Sequence, residues 1–246
     1  MDGFIHIAAG GAKESMLAQA VNAHNLANAS TVGFKADMVQ AESLYLKGEG
    51  DSTRAFKRIG GIGTDFSSGA MTQTGRDLDI AIDGPGWIAV QDDGGGEALT
   101  RRGDLRIDEF GQLLNGVGQA VMGNDGPIAL PPFSSMTIGT DGTISIVPLG
   151  EPLNAVATLD RIKLVNPPED ALSKNAAGMI QTEDGLPAEA DGSLRIATGA
   201  LESSNVSTVG AMVRMIELSR EFEQYMKMVT VGEELDTSSV SLMRMQ

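Results

Sequence analysis

The sequence predicts an α+β protein in which long N- and C-terminal helices pair as a coiled-coil-like layer, with an extended Gly/Ser-rich arm and a central antiparallel all-β domain between them. Three observations carry that expectation. Apolar and alanine positions recur at spacings of three and four from Ile5 to Ala27. The same period returns after Thr208. Between Leu78 and Ala200, short β-branched runs alternate with Asp-Gly and Asn-Gly turn signals. The chain accordingly divides into an N-terminal helix over 1–31, an arm over 32–77, a β-rich domain over 78–200 and a C-terminal helix over 201–246.

In the first helix the stripe runs Ile5, Ala9, Ala12, Met16, Ala20, Ala23 and Ala27, with Ile5, Met16 and Ala27 spaced by eleven residues. Eleven residues over three turns is about 3.67 per turn, so the stripe stays nearly straight. Small side chains let a neighbouring helix come close but cover little apolar area, so this helix needs a partner. It is stopped within "HNLANASTVGFKAD" (His24 to Asp37), where Asn25 and Asn28 precede hydroxylated residues, a Gly33 expected at positive φ, and an extended Phe34-Lys35. The arm that follows, "GEGDSTRAFKRIGGIGTDFSSGAMTQTG", has no sustained period. The β segment includes "DLDIAID", "GWIAVQDDGGG", "MTIGTDGTISIVP" and "ADGSLRIATG". Its turns fall at Asp93-Gly94, Phe110-Gly111, Asn115-Gly116, Asp125-Gly126, Asp141-Gly142 and Asp191-Gly192. In the last helix the stripe runs Val209, Val213 and Ile216, then Phe222, Met226 and Val229, and more weakly Val240 and Met243. Asn205, Ser207 or Thr208 can cap its start. Its methionines, Met212, Met215, Met226, Met228, Met243 and Met245, suit either core filling or an intermolecular interface.

Composition removes several functions. The 246 residues are 41% hydrophobic, enough for a sizeable core. A formal net charge of -15 opposes phosphate backbones and anionic lipid, so nucleic acid is not an expected partner. With no cysteine, disulfides and thiolate metal sites are excluded. The N-terminus lacks the basic region and apolar run of a signal peptide, and no stretch approaches the roughly 18 apolar residues of a membrane span. His6 and His24 have no metal-ligand spacing. The Asp-Gly turns lack the calcium-loop register, and "GGIGTD" (Gly60 to Asp65) lacks the GK[ST] of a P-loop. Asp77, Asp79 and Asp83 would share one face of a strand, which is better read as a solvent face than as an acid/base set.

Four segments resemble the flagellar axial proteins of the rod and hook family. They are "NLANASTVGFK" (Asn25 to Lys35), "DGPGWIAVQ" (Asp83 to Gln91), "TRRGDLRIDEFGQLLNGVGQAVMG" (Thr100 to Gly123) and "LESSNVSTVGAMVRMIELSREFEQYMKMV" (Leu201 to Val229). They stand in the family's order and span nearly the whole chain. His24 and Val32 depart from the pattern, which often has Asn and Pro there. The resemblance implies a structural subunit without cofactor or metal, located in the basal-body rod that spans the periplasm and exported without a cleaved signal peptide. Its partners would be other rod proteins, copies of itself, neighbouring basal-body components and the flagellar export apparatus, with no direct membrane insertion. The terminal helices would form an inner tube and the β domain an outer layer. Open helical growth requires different patches to meet on successive subunits. The expected interface comprises Ile5, Ala9, Ala12, Met16, Ala20, Ala23, Asn25, Leu26, Ala27, Asn28, Gly33 and Phe34, with Val209, Met212, Val213, Ile216, Phe222, Met226 and Val229. Two alternatives stay open: a distal-rod or hook-type axial protein, and a secreted β-rich enzyme acting on cell-wall polymers, which would need two carboxylates about 5 to 9.5 Å apart.

Overall fold

The computed structural model describes residues 2–45, 55–92, 94–152, 154–175 and 178–243, so Asp93, Met245 and the 46–54 stretch of the expected arm lie outside it. The chain is α+β and forms two compact units, one of residues 1–29, 36–65 and 206–246, the other of residues 30–35 and 66–205.

The first unit holds α1 (Asp2–Ala27), α2 (Thr208–Met243) and a hairpin of β1 (Asp37–Tyr45) and β2 (Ala55–Thr64). The hairpin is antiparallel, from Asp37 opposite Thr64 to Tyr45 opposite Ala55, with a register shift between Gln40 and Ala41. Much of the expected arm is therefore paired strand. The helices pack on each other: Ser15 Oγ donates to the Leu218 carbonyl at 2.9 Å and Asn22 Nδ2 to the Ala211 carbonyl at 2.8 Å. Numbers rise along α1 as they fall along α2, so the pair is antiparallel. Close approach depends on small residues, and a Cβ on Gly11 would strike the Tyr225 ring. Burial, followed by the carboxylates of Glu221 and Glu14, pushes the Tyr225 phenol above its ordinary value. Ser207 is the cap among the three candidates, its Oγ accepting the Gly210 N–H at 3.2 Å and its carbonyl the Ala211 N–H.

In the second unit every strand pairing is antiparallel. The largest sheet has the order β12 (Leu164–Val165), β5 (Trp87–Gln91), β6 (Glu97–Thr100), β14 (Ile180–Thr182), β13 (Leu172–Lys174). Its strand β5 explains why "WIAV" is an unbroken apolar run. Ile88 and Val90 enter a core with Leu105, Leu113, Val121, Ile128 and Ile144, whereas Trp87 and Ala89 enter a second with Leu99, Val165 and Ile180. A strand covered on both faces loses its alternation. A three-stranded sheet runs β11 (Ala157–Arg161), β10 (Thr143–Pro148), β9 (Phe133–Ile138). At the β9–β10 turn, Gly142 has φ +85° and Asp141 accepts from both the N–H and the hydroxyl of Thr143. Those hydrogen bonds hold the Asp141 carboxyl below its ordinary value. Three two-stranded sheets complete the unit: β4 (Ile80–Asp83) with β15 (Arg195–Thr198), β3 (Met71–Gln73) with β16 (Ala200–Glu202), and β7 (Arg106–Ile107) with β8 (Leu113–Leu114).

Because Ile88 is fully buried, Ile88→Ala should destabilise this unit by about 2–5 kcal/mol. Phe110→Ala, at a solvent-facing ring, should stay within about 0.5 kcal/mol of the parent. Urea unfolding followed by fluorescence of Trp87, the sole tryptophan, measures both; equal losses would contradict the placement of Ile88 in the core.

Candidate assembly surfaces and a buried ion-pair junction

The end of α1 is held by side chains standing in for missing helix partners. Asn28 Nδ2 donates to the His24 carbonyl at 3.0 Å, and the Asn28 N–H reaches the His24 and Asn25 carbonyls. Asn25 points the other way and pairs with the main chain of one residue of β1. Its Nδ2 donates to the Asp37 carbonyl at 2.7 Å, and its Oδ1 accepts the Asp37 N–H at 2.8 Å. The amide thus imitates a strand partner and fixes where β1 begins. His24 Nδ1 lies 3.0 Å from Asp37 Oδ2, so this histidine serves the same contact.

Gly33 adopts φ +66°, the left-handed conformation expected of it. It also packs so closely that a Cβ would run into the backbone of Arg101 and Arg102. Its N–H donates to the Glu202 carbonyl at 2.8 Å. Phe34 accepts the Asn205 N–H on its carbonyl at 3.3 Å, and its ring lies 4.9 Å from Lys174 Nζ.

Beyond Phe34 lies the most polar part of the interior. Lys35, Arg101 and Glu202 are only 2%, 4% and 2% exposed. Glu202 Oε1 accepts from Lys35 Nζ at 2.8 Å and from the Gly69 N–H at 2.8 Å; Oε2 accepts from Arg101 Nη1 at 2.9 Å. Lys35 donates further to the Ser67 carbonyl, and Arg101 Nη2 to the Gly84 carbonyl. Trp87 takes part in stabilising the cations: its ring centroid is 5.4 Å from Arg101 Cζ and 5.8 Å from Lys35 Nζ, with Phe66 edge-on at 5.6 Å. Burial lowers the Arg101 pKa from its ordinary value, and Glu202 opposes that shift. Arg101 Nε has no hydrogen-bond partner among the described residues. The junction was absent from the expected interface. The available signal was that each of the four family-like segments supplies a part: Lys35, Trp87, Arg101 and Glu202.

The expected helix positions sit mostly outside the α1–α2 contact. Ala12 is buried and Ile5, Asn25, Leu26 and Asn28 are half-buried, while Ala9, Met16, Ala20, Ala23 and Ala27 are exposed. The buried row on α1 is Ala8, Ala12, Ser15 and Val21. On α2, Ala211 and Leu218 are buried. Val209, Met212, Val213, Ile216 and Met226 are exposed, Val209 by 73% and Ile216 by 57%, and Phe222 and Val229 are half-buried. The three aspartates do not share a face as expected. β4 begins only at Ile80, and Asp79, which bridges to Asp104 just before it, is buried and bonded to Thr74 Oγ1 and Arg76 Nη1, whereas Asp77 and Asp83 are exposed. Asp92, in the "DDGGGE" turn, accepts the Gly94 and Gly96 N–H groups. Among the described residues no group of three or more His, Asp or Glu is placed to hold a metal, and no helix is long and apolar enough to cross a membrane.

Two substitutions test the junction. Glu202→Gln leaves two buried cations without their anion and should cost about 3–5 kcal/mol in urea unfolding. Gly33→Val should cost at least about 1–3 kcal/mol from backbone strain alone, while Val32→Ala, at a half-buried turn, should cost less than about 1 kcal/mol. Equal effects at positions 32 and 33 would mean that the conformation of Gly33 is not required.

Residues 81–146 match the family model described as the flagellar hook protein FlgE/F/G D1 domain, and residues 197–242 match the flagellar basal body rod FlgEFG protein C-terminal model. The flagellar basal-body rod protein FlgF of Escherichia coli is 39% identical, with 94% of each chain covered. FlgF of Salmonella typhimurium is 38% identical over the full length of both chains, and FlgG of Bacillus subtilis is 32% identical, covering 90% of this chain and 91% of its own. The chain belongs to the FlgF family of flagellar basal-body rod proteins, which are structural subunits and not enzymes.

Proposed function

We propose that the chain builds the proximal rod of the flagellar basal body, the drive shaft that transmits torque and encloses the export channel. It assembles there with homologous rod proteins and with copies of itself. The terminal helices form a coiled-coil-like inner layer, the residues of the Gly/Ser-rich arm lie outside it, and the β domain forms the outer layer. The subunit reaches its place across the periplasm through the flagellar export apparatus, without a cleaved signal peptide.

One observation carries the assembly reading. α2 presents Val209, Met212, Val213 and Ile216 to solvent, although α1 already covers its Ala211 and Leu218 face. A contiguous apolar row left over after a helix has found its intramolecular partner marks a contact surface. On α1 the exposed Ala20 and Ala23 permit close approach of another helix. A row that meets a different row on the next subunit propagates, whereas one that met itself would close as a dimer.

Ala20→Asp, Ala23→Asp and Ile216→Asp place a charge on these exposed rows, so the isolated subunit should keep its circular dichroism and urea midpoint. In the assembly the same charge is desolvated without a partner, a penalty of about 3–5 kcal/mol at each repeated contact. Isolated basal bodies should then lack complete rods while export of the variant continues. Full motility in all three strains would show that these rows stay in water.

A further inference from the structure

α2 presents two apolar rows to solvent, not one. The first, Val209, Met212 and Ile216 with Val213 beside them, lies in its opening turns. The second, Met228, Val231 and Leu235, is between 42% and 52% exposed and was absent from the expected interface. Both rows have the spacing three then four, and each member of the second follows its counterpart in the first by nineteen residues. In an α-helix that offset is a rise of about 28 Å and a rotation of about 100° beyond five full turns. The rows therefore look in two different directions. One straight partner helix cannot cover both, so each row needs its own neighbour.

The second row stands toward the open end of the helix pair. Ser15 is bonded to the Leu218 carbonyl and Asn22 to the Ala211 carbonyl. Asp2, thirteen residues before Ser15, is thus about level with Val231, thirteen residues after Leu218. Leu235 lies past the start of α1, and α2 runs on to Met243. The first row stands at the opposite end, beside the last turns of α1.

Equal spacing lets the two rows meet in register. Parallel α2 helices offset by nineteen residues set Met228 against Val209, Val231 against Met212 and Leu235 against Ile216. Two of these three levels join a flexible Met to a β-branched Val, a combination that fills an irregular gap. No member of either row is charged, which limits repulsion where copies of a protein of net charge -15 touch. First row on first row, or second on second, would be an isologous contact between antiparallel helices. First on second is heterologous and keeps every copy pointing the same way, as open growth requires.

We infer that the Met228, Val231 and Leu235 row of one copy packs against the Val209, Met212 and Ile216 row of a second copy of this chain, in a parallel head-to-tail contact. This rests on the reading of the chain as a rod subunit and names the surface that its first row meets.

The chain has no cysteine, so introduced pairs report contacts directly. In basal bodies isolated from a strain carrying Met212→Cys with Val231→Cys, mild oxidation should give a ladder of multimers that reduction collapses to monomer. Val209→Cys with Met228→Cys, one level along, should give the same ladder. Each of the four cysteines alone should give only monomer, because a head-to-tail contact never brings equal positions together. Met212→Cys with Met226→Cys, an exposed position outside the second row, should give no ladder. As an independent measure, Val231→Asp should lower the content of this chain in rods about tenfold while its urea midpoint stays unchanged. Rods that contain either doubly substituted chain of the first two pairs but form no ladder overturn the contact. Dimers from a single cysteine, a ladder from the Met226→Cys pair, and an undiminished content or a lowered urea midpoint of the Val231→Asp chain also overturn it. Absence of the unsubstituted chain from isolated rods would instead overturn the rod-subunit reading itself.

Discussion

A carboxylate at position 202 has been taken out of water, and the β unit is arranged around the need to satisfy it. An isolated buried charge is prohibitively unfavourable, so Glu202 requires partners of opposite charge and further donors on its remaining lone pairs. Lys35, Arg101 and the Gly69 N–H supply them from three distant parts of the chain. Ion pairs of this kind add little net stability over an apolar replacement; their strength is in the penalty for error. A strand shifted by one residue would leave a cation or an anion unpaired in the interior, so the pairing of β16 with β3 and the course of residues 33–35 are specified together.

That specification falls at a particular place in the connectivity. The chain leaves one unit for the other around residues 29/30, 35/36, 65/66 and 205/206. Within the β unit, the residues next to these crossings are bonded to one another: Gly33 to Glu202, Phe34 to Asn205, Lys35 to Ser67, and Asn205 to Ser67. Trp87 sits against both cations and links this polar group to the second core, where it packs with Ala89, Leu99, Val165 and Ile180. In the helical unit the corresponding task belongs to Asn25, whose amide fixes the first residue of β1.

The legible parts of the fold were those with local causes. The helical character of α1, the stop at Asn25 and Asn28, the left-handed Gly33, a cap for α2 within residues 205–208 and the antiparallel centre all follow from residues within a few positions of each other. The junction was not legible, since its charges stand 101 and 167 residues apart and nothing local separates the buried Arg101 from its neighbour Arg102, which is half-buried and pairs with Asp104. The arm misled for a related reason. Glycines at 60, 61 and 63 hide the alternation of β2, whose partner β1 supplies the order. Alanine obscured the face of α1: with small residues on all sides, Ala8 and Ala12 look no more buried than Ala9 and Ala20, and only the position of α2 decides. Asp79 was read by strand alternation although it precedes the strand, where Arg76 and Thr74 satisfy it.

Charge sets the last constraint on assembly. A subunit of net charge -15 repels its copies, and at physiological salt that repulsion is screened only beyond about 8 Å. Contacts closer than this must therefore be neutral or locally complementary. The exposed rows of the helices meet the first condition: Val209, Met212, Val213 and Ile216 are uncharged, and the nearest charges on α2, Arg214 and Glu217, neutralise each other across one turn at 3.3 Å. Repulsion at short range then disfavours other pairings of free subunits, whereas docking that brings these uncharged faces together avoids it. A rod subunit gains from that combination, because premature contact between copies would compete with ordered assembly.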